Sequence, residues 1–473
     1  MSRPISATRP SRAIHQVPRY VEPLPLPPRI LRLPTVKGAR TAREYARAST
    51  ARGFGMTGHR YAARTSRPSG VHWARVVALA VAATILAATA VAAANPRDRT
   101  FGGGGVALVD LGGADRAVAG FLLESGRYLL VGHTKDGDDG RIALARLLPG
   151  GGLDSSFGDG GRLVVAGIAI EEAEAAALAP DGRIVVAVRG PDGHHALVRL
   201  RADGSRDPSF GADGVVRTAS DSFMPATLVV QPNGRILIST DRLERYTEAG
   251  ELDPTFGQGG VTTDDNFDGT VLRQANGDVL SFGACGACLV GRRWNADGTR
   301  DRDFGRAIDD NAFVSVSSRY GVTGWPIAGA IDARGRIFLA SLVGSRQRLD
   351  GLVVAFTRNG KPARGFHRDG WRSIDFSKRE WLGAIELLPG RSLLVAGTRV
   401  PGRTLPSDAV VLAMLNADGS LRHRFGNRGR AILRATSGHE SPQATDLFLD
   451  GDRAIVVGDA GGDFLAARYR LAP

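Results

Sequence analysis

Two cysteines, Cys285 and Cys288, stand as Cys-Gly-Ala-Cys, and they are the only cysteines in the chain. Such a pair can cross-link, carry electrons, hold half of a zinc site or anchor haem, and the neighbouring residues decide which. Haem attachment calls for histidine at the next position, where Leu289 stands. Structural zinc needs a second ligand pair that the sequence lacks. A redox thiol needs a depressed pKa, commonly supplied by a helix N-terminus, and the flanks here read as strands. A small hairpin disulfide is the expectation, provided that the domain is exported.

Asp264-Asp-Asn-Phe-Asp-Gly269 places oxygen ligands at alternate positions before a glycine, as calcium loops do. The bidentate acid of an EF-hand would fall at position 275, which is Ala275, so that motif is excluded. A weaker calcium site at Asp264, Asn266 and Asp268 remains open. Lys135-Asp-Gly-Asp-Asp-Gly140 is similar, but it reads first as a solvated turn carrying Asp138 and Asp139. No cofactor is expected apart from this calcium.

Catalysis needs acids, bases or nucleophiles that converge. Glu174, Asp332, Glu386 and Asp446 fall on runs that read as inner strands, but they count back to different heights and form no single ring. His133, His194, His195, His367, His423 and His439 are scattered, and only His194-His195 are adjacent. No nucleophile motif is present. A non-catalytic protein is the main reading, with a metal-dependent hydrolase or lyase at a channel mouth as the alternative.

These residues sit on a repeat. Phe101, Phe157, Phe210, Phe256, Phe304, Phe366 and Phe425 recur at intervals of 46 to 62 residues, most of them entering a glycine-rich turn. Repeats of this length mean stacked units. In the second unit, Ala175–Leu178, Arg183–Ala187, Ala196–Leu200 and Gly214–Val216 are short apolar runs separated by Asp-Gly and Asp-Pro breaks. That is a strand and turn rhythm. Asp-Gly or Asn-Gly at 181–182, 233–234, 276–277, 297–298 and 418–419 supplies the positive φ that tight hairpins need. Four strands per unit in seven units predict an all-β, seven-bladed propeller. Counting strands a to d outward, the chain ends after a c strand, Leu465–Leu471, and begins the domain with an orphan run, Val106–Val109. The N-terminal strand is therefore expected to complete the last blade and to leave no free edge between the ends.

The blocks Leu153-Asp-Ser-Ser-Phe-Gly-Asp-Gly-Gly161, Leu252-Asp-Pro-Thr-Phe-Gly-Gln-Gly-Gly260 and Asn416-Ala-Asp-Gly-Ser-Leu421 with Phe425-Gly426 resemble the delta-60 repeat of bacterial exported proteins. The resemblance spans about residues 100–473 and implies an extracytoplasmic propeller with no established reaction. The strand order resembles that of NHL-type propellers. Unit four departs at Arg302–Arg306, and unit five has His367 where the others have glycine after phenylalanine.

The net charge of +13 suggests nucleic acid until it is divided. Residues 1–75 carry 15 Lys/Arg and two acids, and the rest carries 46 of each sign. A neutral repeat domain has no electrostatic reason to hold a phosphate backbone. Residues 1–70 are Arg/Pro-rich and read as a disordered tail. Within 71–94, Val76 to Ala94 is uncharged for nineteen residues, which reads as one hydrophobic helix. It is either a signal segment cut after Ala92-Ala93-Ala94 or a retained membrane anchor with the basic flank cytoplasmic. Met56 is an alternative start for the first case. Residues 95–473 are then the propeller, outside the cytoplasm and monomeric.

In such a ring the a–b and c–d turns share one face, and the b–c and d–a loops share the other. The first set is short and nearly uniform here, whereas the second varies from blade to blade, which marks it as the binding face. Its candidate residues are Asp138, Asp139, His194, His195, Tyr320, Trp325 and Trp381. The expected partner is a protein, a glycan or another envelope component.

Overall fold

The computed structural model describes residues 96–219, 227–263, 269–284, 289–308, 311–316, 328–344, 349–402, 406–435 and 440–471. Seven antiparallel sheets make seven blades. The first strand, β1 (Val106–Val109), stands apart from its sequence neighbours. Blade one is β2 (Ala114–Leu122), β3 (Tyr128–Asp136), β4 (Asp139–Leu147) and β5 (Arg162–Val164). Blade two is β6 (Glu172–Leu178), β7 (Ile184–Arg189), β8 (His195–Leu200) and β9 (Val215–Arg217). Blade three has β10 (Thr227–Val230), β11 (Ile236–Ser239) and β12 (Leu243–Tyr246). Blade four has β13 (Gly269–Arg273), β14 (Val279–Ala284), β15 (Leu289–Trp294), β16 (Arg306–Ile308) and β17 (Asn311–Val316). Blade five is β18 (Ala328–Ile331), β19 (Ile337–Gly344), β20 (Leu349–Phe356) and β21 (Trp371–Ile374), the last preceded by a single-turn helix α1 (His367–Gly370). Blade six is β22 (Arg379–Leu387), β23 (Leu393–Val400), β24 (Ala409–Leu415) and β25 (Arg430–Arg434). Blade seven is β26 (Gln443–Asp450), β27 (Arg453–Ala460) and β28 (Asp463–Arg470).

The fourth strand of blade seven is β1, which pairs antiparallel with β28 from Val106 opposite Ala467 to Val109 opposite Phe464. The ring closes as its two ends demand. Five sheets hold four strands, and two depart from that pattern. In blade three the outer position is reduced to an isolated bridge between Val261 and Glu244. In blade four β17 takes the fourth place against β15, and β16 pairs outside it as a fifth strand. Two short apolar runs on either side of Asp309-Asp310 give that segment enough pattern for a hairpin.

The core lies between blades, not within them, and the repeated phenylalanines show why. Phe101, Phe157, Phe210, Phe256, Phe304, Phe366 and Phe425 are all buried. Each belongs to a different one of the seven apolar clusters. Phe101, for example, packs on Tyr128 of the following blade at a centroid distance of 6.0 Å. Each unit thus contributes one ring to the joint with its neighbour. Such a side chain stabilises by about 1.5–3 kcal/mol. Where unit five lacks glycine after phenylalanine, His367 takes φ 40° itself, close to the 49–57° of Gly102, Gly158, Gly211, Gly257 and Gly426. Its N–H still reaches the Asp418 carbonyl at 2.7 Å. The turn survives the substitution with backbone strain.

Four inner strands carry a register break, after the fourth residue in β2 and β22 and after the second in β6 and β26. In three of them a glycine stands opposite. A Cβ on Gly132, Gly397 or Gly458 would lie 2.0, 2.1 or 1.9 Å from the carbonyl oxygen of Arg116, Trp381 or Gln443. No side chain fits there. The bulge re-aims the inner-strand residues that follow it.

Candidate functional site

On the a–b and c–d face the same assembly recurs at five blades. Arg146, Arg199, Arg245, Arg293 and Arg468 each sit next to last or near the end of a c strand. Their guanidinium Nε donates to Asp154, Asp207, Asp253, Asp301 and Asp98 at 2.7–3.0 Å. The second carboxylate oxygen accepts the backbone N–H two residues on, as in Asp253 to Thr255 at 3.0 Å. The guanidinium plane covers the repeated phenylalanine at 4.5–4.9 Å, a cation–π contact. Four of the arginines also donate to a carbonyl of the next blade, at Pro149, Glu248, Ala296 and Arg358. Each latch therefore ties a c strand to its own c–d turn, and four of the five add a bond to the neighbouring blade.

The latch of blade seven is shared by the two ends of the chain, Asp98 from one and Arg468 from the other. Burial works against ionising Asp98, but the Thr100 hydroxyl and N–H, Arg470 and Arg468 hold its carboxyl down at about 2. Blades five and six dispense with the device. Ala355 and Met414 occupy the arginine positions, identified by the same backbone bonds from Ala363 and Arg422, and both are fully buried. The sequence reading missed these arginines. The signal was present as an arginine eight residues before the aspartate in units one to four.

Between blades two and three this face also carries a cleft of about 310 Å³, lined by Asp181, Arg183, Asn233 and Glu248 among others. Its charges are spent on one another, since Arg183 pairs with Asp181, Asp207 and Glu248.

On the opposite face the described loops vary in length and chemistry. The b–c turn of blade one is only two residues, Gly137-Asp138, because β3 and β4 pair out to Asp136 and Asp139. Asp138 and Asp139 are exposed there. The turn of blade two, 190–194, is held by Asp192, which accepts the His194 N–H at 3.1 Å and pairs with Arg217 at 3.1 Å. His195 is not on the surface. It opens β8, is fully buried, and its Nε2 lies 3.0 Å from Glu174 Oε2. Glu174 occupies the bulge of β6 and also binds Arg189 at 2.9 Å. Trp381, expected in a d–a connection, lies within the inner strand β22 and is half-buried. The connection before it closes in four residues, so the strand starts earlier.

The four inner-strand acids do not form a ring. Glu174 bonds to His195 and Arg189, while Asp332 lies past the end of β18 and binds Arg336 at 2.7 Å. Glu386 and Asp446 do interact. Burial pushes Glu386 up to about 7, with the Asp446 charge adding to it, and burial pushes Asp446 up to about 6. Asp446 is committed to structure, because Oδ2 accepts the Gly120 N–H of the adjacent blade at 2.9 Å and Oδ1 accepts its neighbour Leu447 at 2.7 Å. His133 serves the next joint, its Nδ1 accepting the Ala173 N–H at 3.1 Å. Burial holds it neutral, with a pKa down at about 4.

Cys285 and Cys288, the loop of Asp264, Asn266 and Asp268, Tyr320 and Trp325, and the segments 1–70 and 71–94 lie outside the described residues. Among the described residues no helix is long and apolar enough to cross a membrane.

Residues 124–157 and 179–210 match the family described as a domain of unknown function (DUF5122) β-propeller. The two stretches run from the a–b turn to the repeated phenylalanine of blades one and two. No curated protein matches the chain. Similar solved structures include Chaetomium thermophilum Sqt1 bound to the N-terminus of the ribosomal protein L10, at 13% identity and TM-score 0.43, covering 77% of this chain and 98% of that one. The β-propeller domain of Vanderwaltozyma polyspora Nup133 is similar at 10% identity and TM-score 0.41, covering 75% and 94%. The WD40 domain of Toxoplasma gondii coronin is similar at 11% identity and TM-score 0.43, covering 73% and 79%.

Proposed function

We propose that this chain is a bacterial exported propeller of the delta-60 repeat type, NHL-like in strand order, that acts as a non-catalytic binding module. Residues 1–70 are a basic tail, 71–94 a signal or anchor segment, and 95–473 the propeller outside the cytoplasm. The b–c and d–a face takes the partner, an envelope protein or a glycan. One observation carries the reading: the opposite face repeats one Arg–Asp–Phe latch at five blades, whereas the described loops of this face differ in length and side chains, from the two-residue Gly137-Asp138 turn to the five residues 190–194. A fixed frame with varied loops on one side is how binding surfaces are set on rigid scaffolds. The acids nearest to a catalytic pair, Glu386 and Asp446, are engaged in joining blades or buried beside them.

The test compares faces. Full-length chain and two charge-reversed variants are used to capture partners from an envelope fraction of the native host. Asp138→Lys with Asp139→Lys and Asp192→Lys alters the proposed face, and Asp203→Lys with Asp297→Lys alters the other. Capture lost only with the first set supports the assignment. Equal capture by both sets, or loss only with the second, refutes it. Intact mass and N-terminal sequence of the native protein separate a cleaved signal from an anchor.

A further inference from the structure

The seam where the chain closes on itself brings together three carboxylates that nothing above uses. Asp110 directly follows β1, Asp115 is the second residue of β2, and Asp463 opens β28. The register of β1 on β28 ends with Val109 opposite Phe464, which sets Asp110 beside Asp463. Carboxylate oxygens of the three lie within 4.8 Å of one another. Asp110 is exposed, Asp463 is half-buried and Asp115 is 3% exposed.

Three negative charges at this separation repel unless something neutralises them. Among the described residues no arginine or lysine is paired with any of the three. Asp115 supplies a second, separate sign. Its Oδ2 accepts the Leu111 N–H at 2.5 Å, while Oδ1 is buried with no hydrogen-bond partner. Thr134, opposite in the β2–β3 register, hydrogen-bonds the carboxyl group and favours its charged form. An unsatisfied buried carboxylate oxygen is costly, and a cation is the partner that would satisfy it. Burial raises the Asp115 carboxyl above its usual range, with the Asp110 and Asp463 charges adding to it, and Asp463 is raised by burial and then by Asp110.

The same register produces a second triad between blades five and six. Asp375 directly follows β21, Glu380 is the second residue of β22, and Asp350 is the second residue of β20. Glu380 is fully buried, with Oε1 accepting the Lys378 N–H at 2.8 Å and Oε2 lacking a hydrogen bond. There Glu380 faces Arg399 across the β22–β23 register, but that guanidinium is taken by Asp408 at 2.8 and 2.9 Å. The seam triad differs in joining the first and last strands of the ring.

We infer that Asp110, Asp115 and Asp463 form a divalent-cation site, calcium in its chemistry, that clamps the N-terminal and C-terminal strands at the closure of the ring. Calcium takes six to eight oxygens at about 2.3–2.6 Å, so ligands around one ion stand up to roughly 5 Å apart. Magnesium demands near-ideal octahedral geometry and dehydrates reluctantly, so three carboxylates on separate strands suit it less well. Ligands from β1, β2 and β28 make the ion a bridge between segments about as far apart in sequence as the domain allows. Binding only to the closed ring would raise its stability by mass action.

The test uses the full-length chain stripped with EDTA, then titrated with calcium chloride and separately with magnesium chloride at pH 7.5. Thermal unfolding and calorimetry are both read. The expected result is a saturable rise in Tm, roughly 3 °C at a hundredfold excess over Kd, with magnesium weaker. Asp463→Asn and Asp110→Asn, both at solvent-accessible positions, should each weaken calcium at least about tenfold. Asp203→Asn, in a c–d turn on the opposite face, should leave it unchanged. No calcium response in the parent chain overturns the inference, and so does a response that both seam variants retain.

Discussion

On one side of the ring, Arg245 lies against Asp253 and Phe256 and donates to the Ala296 carbonyl of the next blade. On the other side, Asp115 is buried beside Asp110 and Asp463 with one oxygen unsatisfied. The strands joining these sites are the same in kind, so the difference comes from the turns. The c–d turns fold back under the same phenylalanine, and at five blades an arginine–aspartate pair holds the turn, with four of the arginines also bonded to the next blade. The b–c and d–a loops have no shared packing task. They are free to differ in length, charge and satisfaction of their polar groups. Uniform chemistry marks what holds the ring, and irregular chemistry marks what is available for ligands.

The largest effect is expected from removing the uniform side at its weakest point. Deleting residues 96–110 takes away Asp98, Phe101 and β1 together, and the domain should lose its cooperative transition in calorimetry. A deletion that still melts at the parent temperature would mean that the seam is not what closes the ring.

Next comes a single latch. Arg245→Ala removes the buried guanidinium from Asp253, which keeps Arg235 at 3.1 Å and the Thr255 N–H and hydroxyl, and should cost about 1.5–3 kcal/mol in chemical denaturation. Arg245→Met together with Asp253→Ala should recover most of that loss, because blades five and six already hold Ala355 and Met414 at this position. If the double variant is no better than the single one, the latch has a role beyond pairing charge.

The inner strands, which lie between the two faces, respond to pH. Glu386 has a folded pKa of about 7, raised above the ordinary carboxylate range by burial and then by Asp446. A raised acid favours the fold fully below its unfolded pKa, and that contribution is lost as pH rises through about 7. Glu386→Gln should therefore stabilise the protein by roughly 2–3 kcal/mol at pH 9 and do little at pH 4. Melting curves at the two pH values decide it, and an equal change at both would assign the effect to packing instead.

A smaller gain is expected at the one unit whose turn lacks glycine. His367→Gly relieves φ 40° and should stabilise by about 1 kcal/mol, provided that the contact with Arg372 contributes less. Least of all, Asp138→Ala with Asp139→Ala on the variable face should stay within about 0.5 kcal/mol. A larger loss there would blur the contrast between the faces.

Much of this was legible without coordinates. Seven phenylalanines at blade-sized intervals, glycine at the positive-φ turns and a chain ending one strand short implied the propeller and its closure, because each of those signals is local. The arginine eight residues before each motif aspartate was legible as well, but its meaning required the guanidinium to be seen over the ring. Trp381 and Asp332 were displaced by a few residues, since a strand boundary depends on the neighbouring blade and not on the residue pattern alone.

The amino-acid order by itself determined the repeat, the strands and the apolar joint of every blade, through side-chain alternation and turn conformation that act over a few residues. Which charges meet was decided only by tertiary structure. Asp98 reaches Arg468 across 370 positions, Asp463 meets Asp110 because β1 pairs with β28, and His195 is buried because Glu174 bulges towards it. The physical reason is that a side chain's electrostatic environment depends on every segment packed within a few ångströms, and in a closed ring those segments include the two ends of the domain.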